Sequence, residues 1–257
     1  MRPLFFVFGL VMTVALYTDL SHYYDLMCAD IDYQQQSDCV RRLHHFFGNQ
    51  GRQHIDLACG TGPHLKYFID YGFHCQGLDI NQPMLDIAKQ RCPQATFTLG
   101  NMTEFKVEEP VDLISCFLYS LHYCADLEDL HNCIKCVYAA LKSGGIFCFN
   151  AVDKHAIDNS KVEHHHALHE NSDFTFTSAW HYVGQGDKQS LLLSIKKTSP
   201  TEQHRWQDQH PMVAVSFTQL QAILSPYFDL HIFQHEYDRL IPWDTTSGNA
   251  IFVCVKR

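Results

Sequence analysis

The stretch Ile55-Asp-Leu-Ala-Cys-Gly-Thr-Gly62 decides how the rest of the chain is interpreted. It begins with apolar residues typical of a buried strand and passes into a glycine turn, after which Pro63 suits the first turn of a helix. Glycine at Gly60 allows backbone angles that a side chain would hinder, and Gly62 lets a ligand approach bare backbone at the positive end of the helix. The stretch therefore predicts a cofactor-binding loop.

Two common nucleotide-binding motifs do not fit this loop. The nicotinamide fingerprint G-x-G-x-x-G needs a third glycine, and that position is Leu65. The chain also has no G-x-x-x-x-G-K-S/T motif, which a triphosphate-binding loop would need. A nicotinamide oxidoreductase is therefore a weaker alternative.

Composition narrows the class of partner. The 257 residues carry 19 Lys and Arg against 28 Asp and Glu, a formal net charge of -9, which argues against nucleic acid and favours a small-molecule substrate. The 11 cysteines are odd in number and scattered, which fits reduced thiols in the cytoplasm better than a disulfide framework. The length suits one α/β domain with an insertion, and the sequence indicates no oligomeric state.

The first 17 residues form an apolar extension. The run from Leu4 to Leu16 is similar to the apolar part of a secretory signal, but no A-x-A site precedes Tyr17. It is also shorter than the about 20 residues that cross a bilayer, so stable membrane insertion is not expected. We prefer the interpretation that translation starts at Met12.

Alternating strands and helices predict the fold of residues 18–150. The predicted strands are 55–58, 73–78, 95–99, 111–118 and 146–150, and the predicted helices between them are 63–71, 83–91 and 127–141. This order implies right-handed crossovers and a doubly wound, mostly parallel sheet of the α/β class. Ahead of it, Tyr17, Leu20, Tyr24 and Met27 share one helical face and predict a short N-terminal lid, followed by a helix that ends near Phe47.

From residue 151 the sequence becomes polar, rich in histidine and alternating. Its predicted antiparallel strands are 174–183, 190–197 and 212–217, with a hairpin turn at Gly184-Gln-Gly186. This insertion over 151–217 would cover the carboxyl edge of the parallel sheet, where ligands bind. Residues 218–257 are expected to complete the core sheet with one helix and two strands.

The loop from Asp56 to Gly62 resembles that of the class I S-adenosylmethionine-dependent methyltransferases. Asp79 strengthens the resemblance, because it lies 17 residues after Gly62 at a strand end, where a carboxylate can accept both ribose hydroxyls. Three further segments are similar to the family pattern: Leu99-Gly-Asn-Met102, Val111-Asp-Leu-Ile-Ser-Cys116 and Leu141-Lys-Ser-Gly-Gly145. The resemblance implies a Rossmann-like fold and S-adenosylmethionine as the cofactor.

Tyr24-Asp25 and Tyr33, followed by an antiparallel insertion, resemble the small-molecule N-methyltransferases and, among them, the aminosugar N,N-dimethyltransferases. In that family such tyrosines close over the methionyl part of the cofactor, a role that the resemblance implies for Tyr24 and Tyr33. The aspartate of the family's Gly-Asp-Met turn is Asn101 here, whose oxygen can still accept from the adenine amino group. The family's Ser-Ile-Gly-His reads Ser120-Leu-His-Tyr123, which leaves the catalytic histidine open.

Methyl transfer from a sulfonium is an in-line displacement in which the protein positions the nucleophile and excludes water. We predict His122 and Tyr123 as the base or the orienting group, with Tyr24 as a third catalytic candidate; wall or core roles are the alternatives. The predicted cofactor-binding residues are Tyr24, Tyr33, Asp56, Ala58, Gly60, Gly62, Asp79, Ile80, Met84, Asn101, Met102 and Phe117. For Asp56, a purely structural role competes with contact to the amino group of the cofactor.

Two further patterns are not assigned to metal. His165 and His169 have the helical i, i+4 spacing that can bind zinc, but the H-E-x-x-H order is missing. Cys133 and Cys136 have no partner pair, so buried apolar thiols are the better interpretation. The predicted function is methyl transfer to a small polar acceptor, nitrogen first and oxygen or carboxylate second, with a non-catalytic S-adenosylmethionine-binding module as the alternative.

Overall fold

A computed structural model of the protein describes residues 15–257, so most of the apolar run and the alternative start at Met12 lie outside the described residues. The helices are α1 Tyr24–Met27, α2 Tyr33–Phe47, α3 Pro63–Asp70, α4 Gln82–Arg91, α5 Leu127–Ala140 and α6 Phe217–Leu224. The strands are β1 Gln53–Leu57, β2 His74–Asp79, β3 Thr96–Leu99, β4 Val111–Cys116, β5 Leu141–Val152, β6 Glu163–His169, β7 Ser172–Tyr182, β8 Lys188–Thr198, β9 Gln203–Val213, β10 Phe228–Gln234 and β11 Asn249–Lys256. Single 3-10 turns cover Ala15–Tyr17, Ser21–Tyr23, Ser120–Tyr123 and Lys154–Ala156.

Seven strands form the main sheet in the order β10-β11-β5-β4-β1-β2-β3. Strands β1 to β5 are parallel, whereas β11 pairs antiparallel with both β5 and β10. The predicted doubly wound, mostly parallel α/β sheet is therefore confirmed. Because the strand order reverses between β1 and β4, a crevice opens at their carboxyl ends, where such sheets bind ligands.

The core lies on both faces of this sheet. All six residues of β4 are buried, and consecutive side chains alternate between the two faces, as the neighbours Leu113 and Ile114 show. Leu113 packs with Leu43, Leu65 and Leu85 from α2, α3 and α4. Ile114 packs on the opposite face with residues of α5 and α6. Burial on both faces explains the unbroken apolar run of β4.

The insertion is a separate antiparallel sheet with the order β6-β7-β8-β9. Strands β7 and β8 lie where they were predicted, and the turn between them carries Gly184 and Gly186 with φ of 84° and 78°. Two predictions were wrong. Residues 212–217 are not a strand of their own, since β9 already ends at Val213, and residues 163–169 form β6, which was not predicted.

The N-terminal segment packs on the inner face of the second sheet. Leu16 and Leu20 are buried against Phe174 and Phe176 of β7 and against residues of β8. The described end of the predicted extension, Ala15–Tyr17, thus packs together with the predicted lid. Within residues 15–257, no helix combines the length and the apolar character that a membrane span requires.

Candidate active site

The glycine loop joins β1 to α3 with left-handed backbone angles. Gly60 and Gly62 have φ of 54° and 77°, and Gly62 is the N-cap of α3. Ala58 has φ of 52°, a strained value for a residue with a side chain and one that clusters at functional sites. A Cβ on Gly60 would lie 3.7 Å from Met84 Cε and 3.9 Å from Tyr24 Cε1. The glycine therefore leaves open the space between these two side chains, so a ligand can reach the backbone.

Asp79 at the carboxyl end of β2 closes the loop. One carboxylate oxygen accepts from the Gly60 N–H at 2.8 Å and the other from the Asn81 N–H at 2.8 Å. Burial raises the pKa of Asp79, and these hydrogen bonds oppose the shift. The oxygen that faces Asn81 also accepts from its side-chain amide at 3.3 Å, so the oxygen that faces Gly60 keeps more acceptor capacity for the ribose diol expected from the sequence.

A cavity with an empty volume of about 710 Å³, which we call the first cavity, opens above this loop. Nine of the predicted site residues line it: Tyr24, Ala58, Gly60, Asp79, Ile80, Met84, Asn101, Met102 and Tyr123. Its walls combine the Asp79 carboxylate with apolar side chains, and Ile80, at 64% exposure, forms the open rim. A carboxylate can accept hydrogen bonds from the hydroxyls of a ribose, and apolar side chains can pack against the face of a base. The residues present therefore fit S-adenosylmethionine.

Five predicted residues do not line the first cavity. Asp56 and Phe117 line a smaller adjoining pocket together with Tyr24 and Ala58. Gly62 and His122 line neither space, and neither does Tyr33, whose ring stands edge-on to the His64 imidazole at 4.9 Å. The site residues predicted from sequence therefore divide between a lining group and a supporting group.

The position of His122 argues against its predicted role as the base. The side chain is 2% exposed, Nδ1 lies 3.0 Å from the Val213 carbonyl, and Nε2 accepts from the Val152 N–H at 3.1 Å. Burial lowers the pKa of His122 to about 4, so the ring is neutral. Because both nitrogens contact backbone groups, the ring ties β5 to β9, and it lines neither the first cavity nor the adjoining pocket.

A second cavity, with an empty volume of about 980 Å³, lies between the N-terminal segment and the inner face of the second sheet. It shares four wall residues with the first cavity: Tyr17, Tyr24, Leu118 and Tyr123. The rest of its wall includes Asp30, Tyr119, Glu163, His165, Phe176, Trp180, Leu191 and Leu193. The two cavities therefore adjoin at these four residues.

The helix α1 is tied to the glycine loop by Asp25. Its carboxylate accepts from the Thr61 hydroxyl at 2.7 Å and forms an ion pair with Arg91 at the end of α4. Arg91 also donates to the Thr61 carbonyl at 2.7 Å. We call these three residues the latch, because they hold the segment that carries Tyr24 over the first cavity.

Several wall residues were missed by the sequence prediction. Tyr17 was noted only for its helical spacing, yet its hydroxyl lies 2.7 Å from that of Tyr123. Leu118 and Tyr119, two and three residues after the end of β4, have φ of 53° and 62°, and no glycine marks this turn. Only the Ser120-Leu-His-Tyr123 segment that follows gave a signal that the chain turns at the site.

The histidine-rich segment forms a strand and not the helix that its i, i+4 spacing would require for a shared zinc ion. His165 and His169 lie on strand β6, where four residues span about 13 Å, rather than on one turn of a helix. Across residues 15–257, no group of three or more His, Cys, Asp or Glu side chains is placed to hold a metal ion. All 11 cysteines are free thiols, and Cys133 is buried in the core.

Comparisons with known proteins place this geometry in context. A methyltransferase domain family matches residues 55–145. The dTDP-4-amino-2,3,4,6-tetradeoxy-D-glucose N,N-dimethyltransferase of Saccharopolyspora spinosa is 32% identical over 92 residues, which are 36% of this chain and 37% of that enzyme. The malonyl-(acyl-carrier protein) O-methyltransferase of Salmonella typhimurium is 23% identical over 206 residues, which are 73% of this chain and 80% of that enzyme.

The fold is similar to a solved structure over nearly its whole length. Streptomyces venezuelae DesVI aligns with a TM-score of 0.81 and 20% identity, covering 93% of this chain and 99% of that chain. At the level of sequence, by contrast, the chain spans little more than a third of the Saccharopolyspora enzyme. The family match over residues 55–145 runs from β1 and the glycine loop into β5.

Proposed function

We propose that the protein is a class I S-adenosylmethionine-dependent methyltransferase that transfers a methyl group to the nitrogen of a small organic amine; the match of residues 55–145 to a methyltransferase domain family supports this. The observation that carries this proposal is the wall of Tyr17, Tyr24, Leu118 and Tyr123 that the two cavities share. The first cavity would hold the cofactor through Gly60, Asp79 and their neighbours. The second cavity adjoins the first at these residues and leaves room for the acceptor.

The charges around the second cavity favour a cationic acceptor. Asp30 and Glu163 supply carboxylates at its rim, and aromatic rings such as Trp180 attract an ammonium through their faces. As far as the structure describes the chain, neither arginine nor lysine lines this cavity. Glu163 is paired with the nearby Lys161 at 2.7 Å, so that pair adds no net charge, and the excess negative charge at the rim comes from Asp30, which contacts His165 Nδ1 at 2.5 Å.

This charge pattern also supports an acceptor without a nucleotide diphosphate. The Saccharopolyspora relative is named for a dTDP-linked amino sugar. Phosphate groups are bound by arginine and lysine donors, and a diphosphate beside Asp30 and Glu163 would meet like charge. We therefore propose a free amine, not a nucleotide-linked one, as the acceptor in the cytoplasm, the location favoured by the composition.

The residues of the chain position the acceptor amine and exclude water from the site. When bound, S-adenosylmethionine supplies a methyl group on a positively charged sulfur, which an amine nitrogen can attack in line. The Tyr17 and Tyr123 hydroxyls, 2.7 Å apart, stand at the shared wall, where they can accept hydrogen bonds from the amine and orient its lone pair. The latched N-terminal segment covers the same wall and excludes water.

The proposal is tested by S-adenosylhomocysteine release from the full chain with matched acceptor pairs. Each pair consists of one amino sugar in its free form and the same sugar as its nucleotide diphosphate derivative. A 1,4-diamine is added as a separate, simple dicationic acceptor. We expect turnover of the free amines at a KM at least about tenfold lower than that of the nucleotide forms, because the rim attracts cations. Asp79→Ala, which should weaken cofactor binding by about 1.5–3 kcal/mol, checks that release requires the first cavity.

A matched set of charge variants tests the rim itself. Asp30→Asn combined with Glu163→Gln should raise the KM of the free amines about tenfold with little change in kcat. Glu170→Gln removes an exposed carboxylate from the turn between β6 and β7 and should change neither value. A lower KM for the nucleotide-linked partner in every pair would refute the free-amine proposal.

A carboxyl O-methyltransferase is the second candidate, since the Salmonella relative covers 73% of the chain. The acidic rim at Asp30 and Glu163 disfavours a carboxylate acceptor. Turnover of carboxylic acids but not of amines would establish this candidate in place of the first. Cofactor binding without turnover of any acceptor would instead identify a non-catalytic module.

A further inference from the structure

A line of four polar side chains runs from the shared wall into strand β9. The Tyr17 hydroxyl lies 2.7 Å from the Tyr123 hydroxyl, which lies 2.6 Å from His210 Nδ1. His210 Nε2 lies 3.2 Å from an Asp208 carboxylate oxygen. Neither His210 nor Asp208 has a role in the cofactor or acceptor contacts described above.

The surroundings of His210 are those of a group kept from water. Its side chain is 0% exposed, whereas the Asp208 side chain is 14% exposed and reaches towards the solvent. Both lie two residues apart on β9 and therefore on one face of that strand, the face that also carries Trp206. His210 Nε2 and the facing Asp208 oxygen are both buried and have no hydrogen-bond partner of ordinary geometry, so at 3.2 Å the carboxylate acts on the ring through its charge.

The Asp208 carboxylate determines which nitrogen of the neutral His210 ring carries the proton. Asp208 beside Nε2 favours the tautomer with the proton on Nε2, which leaves Nδ1 as an acceptor. Tyr123 then donates its hydroxyl proton to Nδ1, and the Tyr123 oxygen is left to accept from Tyr17 or from a ligand in the second cavity. This order matches the serine, histidine and aspartate arrangement of hydrolases, with a tyrosine hydroxyl in the first place.

We propose that Tyr123, His210 and Asp208 form a proton relay that takes one proton from the protonated acceptor amine before methyl transfer. This inference rests on the proposed function. The ammonium N–H bond breaks as its proton passes to the Tyr123 oxygen, while the Tyr123 O–H proton passes to His210 Nδ1. The nitrogen keeps the electron pair as the lone pair that attacks, and the proton on His210 later leaves to water beside Asp208.

The electrostatics of the neighbours fit this direction. Burial lowers the pKa of His210 while Asp208 raises it, so the ring is neutral at rest and is stabilised when it becomes charged. Burial raises the pKa of Tyr123 well above 10, with Tyr17, Asp208 and Cys28 adding to the shift. Tyr123 therefore passes a proton on without resting as a phenolate. In this scheme Tyr123 is catalytic, and His210 and Asp208 act through it as positioning residues.

The relay is tested by turnover at two pH values. With the free amino sugar and the 1,4-diamine as probes, His210→Gln should lower kcat about a hundredfold at pH about 7, where the amine is protonated. For the amino sugar, at a pH at least about one unit above the pKa of its own ammonium group, the loss should shrink to about threefold, because the relay has no proton left to remove. Asp208→Asn should show the same pattern with a smaller loss, and it decides the question if His210→Gln does not fold.

The matched control is His204→Gln, which changes an exposed histidine on the same strand that stacks on Trp206. It should leave kcat unchanged at both pH values. A loss of equal size at both pH values, or no loss at all, would overturn the relay and leave His210 with a structural role. Absence of turnover by the unaltered chain would instead refute the proposed function, and the relay with it.

A second measurement needs no turnover. Nitrogen-15 spectra of histidine-labelled protein with S-adenosylhomocysteine should show His210 neutral with its proton on Nε2. Asp208→Asn should shift the proton towards Nδ1, and Tyr123→Phe should move the Nδ1 resonance. A neutral His210 that carries its proton on Nδ1 in the unaltered chain would exclude proton acceptance from Tyr123.

Discussion

Asp56 shows how one residue can serve both the fold and a ligand. One carboxylate oxygen accepts from the Ser115 hydroxyl at 2.6 Å, and the same hydroxyl lies 2.7 Å from His54 Nε2. The residue is buried, yet it lines the small pocket beside Tyr24. Burial raises the pKa of Asp56 to about 7, the Ser115 hydrogen bond opposes this, and the Asp79 charge adds to it.

This pKa predicts a proton linked to cofactor binding. If the ammonium of the cofactor lies beside Asp56, it favours the carboxylate, so binding at pH 6 should release a proton and affinity should rise between pH 5 and about 7. Calorimetry in two buffers of different ionisation enthalpy counts that proton. Asp56→Asn should abolish the count, and equal counts in both chains would show that Asp56 only supports the strand.

The raised pKa of Asp56 also makes the stability of the folded protein depend on pH. A carboxyl group with a pKa of about 4 unfolded and about 7 folded holds more protons in the folded state between those values. The unliganded protein should therefore lose stability from this residue as pH rises through that range. Bound cofactor would offset part of the loss.

The sequence distinguished residues that line the site from those that do not only in part. Gly60 and Asp79 were predicted because the loop spacing and a strand-end carboxylate are local signals. His210 was missed because its partner Tyr123 is 87 residues away in the chain, and a single histidine on a polar strand carries no local signal. His122 was predicted because it is among the first titratable side chains beyond the apolar run of β4, but its side chain turns to backbone groups.

At the level of elements, the parallel strands were predictable and half of the insertion was not. Strand β4 is buried on both faces and reads as an apolar run, whereas β9 presents Asp208 and His210 on its inward face. An inward face that carries polar residues erases the alternation on which strand prediction depends. The same reason hid β6, where Glu163 and His165 line the second cavity.

The latch gives a prediction for the N-terminal segment. Asp25→Asn should weaken its contacts with Thr61 and Arg91 and raise the cofactor dissociation rate about fivefold, or about 1 kcal/mol, since the pair is partly exposed. Asp19→Asn, an exposed carboxylate of the same segment, should leave the rate unchanged. Stopped-flow displacement of a labelled S-adenosylhomocysteine measures both. Identical rates for the two variants would mean that the latch does not hold the segment closed.

At the scale of the whole molecule, one apolar cluster joins the lid to the insertion. Leu16 and Leu20 share it with Phe174, Phe176 and residues of β8, so ordering either part should order the other. Hydrogen exchange should therefore slow together in residues 15–27 and in β7 when S-adenosylhomocysteine binds. This extends the mobile-lid prediction made from the sequence.

A cavity-forming change tests that coupling. Leu16→Ala should remove protection from both segments and leave the main sheet unaffected, because its cost falls on a cluster outside the sheet. Ile223→Ala makes a comparable cavity beside α6 in the main core and should leave the ligand-induced protection of residues 15–27 intact. Protection that survives in one segment and not in the other would show that the two move independently.

The division of the molecule into two sheets has a consequence for the evolution of the proposed activity. Under the proposed function, the residues that would hold the nucleoside of the cofactor lie largely in the loops of the seven-stranded sheet, whereas the wall of the acceptor cavity lies largely at alternate positions of β7 and β8, among them Phe176, Trp180 and Leu193. Substitutions at those alternate positions reshape one pocket without touching Gly60 or Asp79. Under the proposed function, evolution can therefore change the specificity for the acceptor while the residues that bind the methyl donor stay the same.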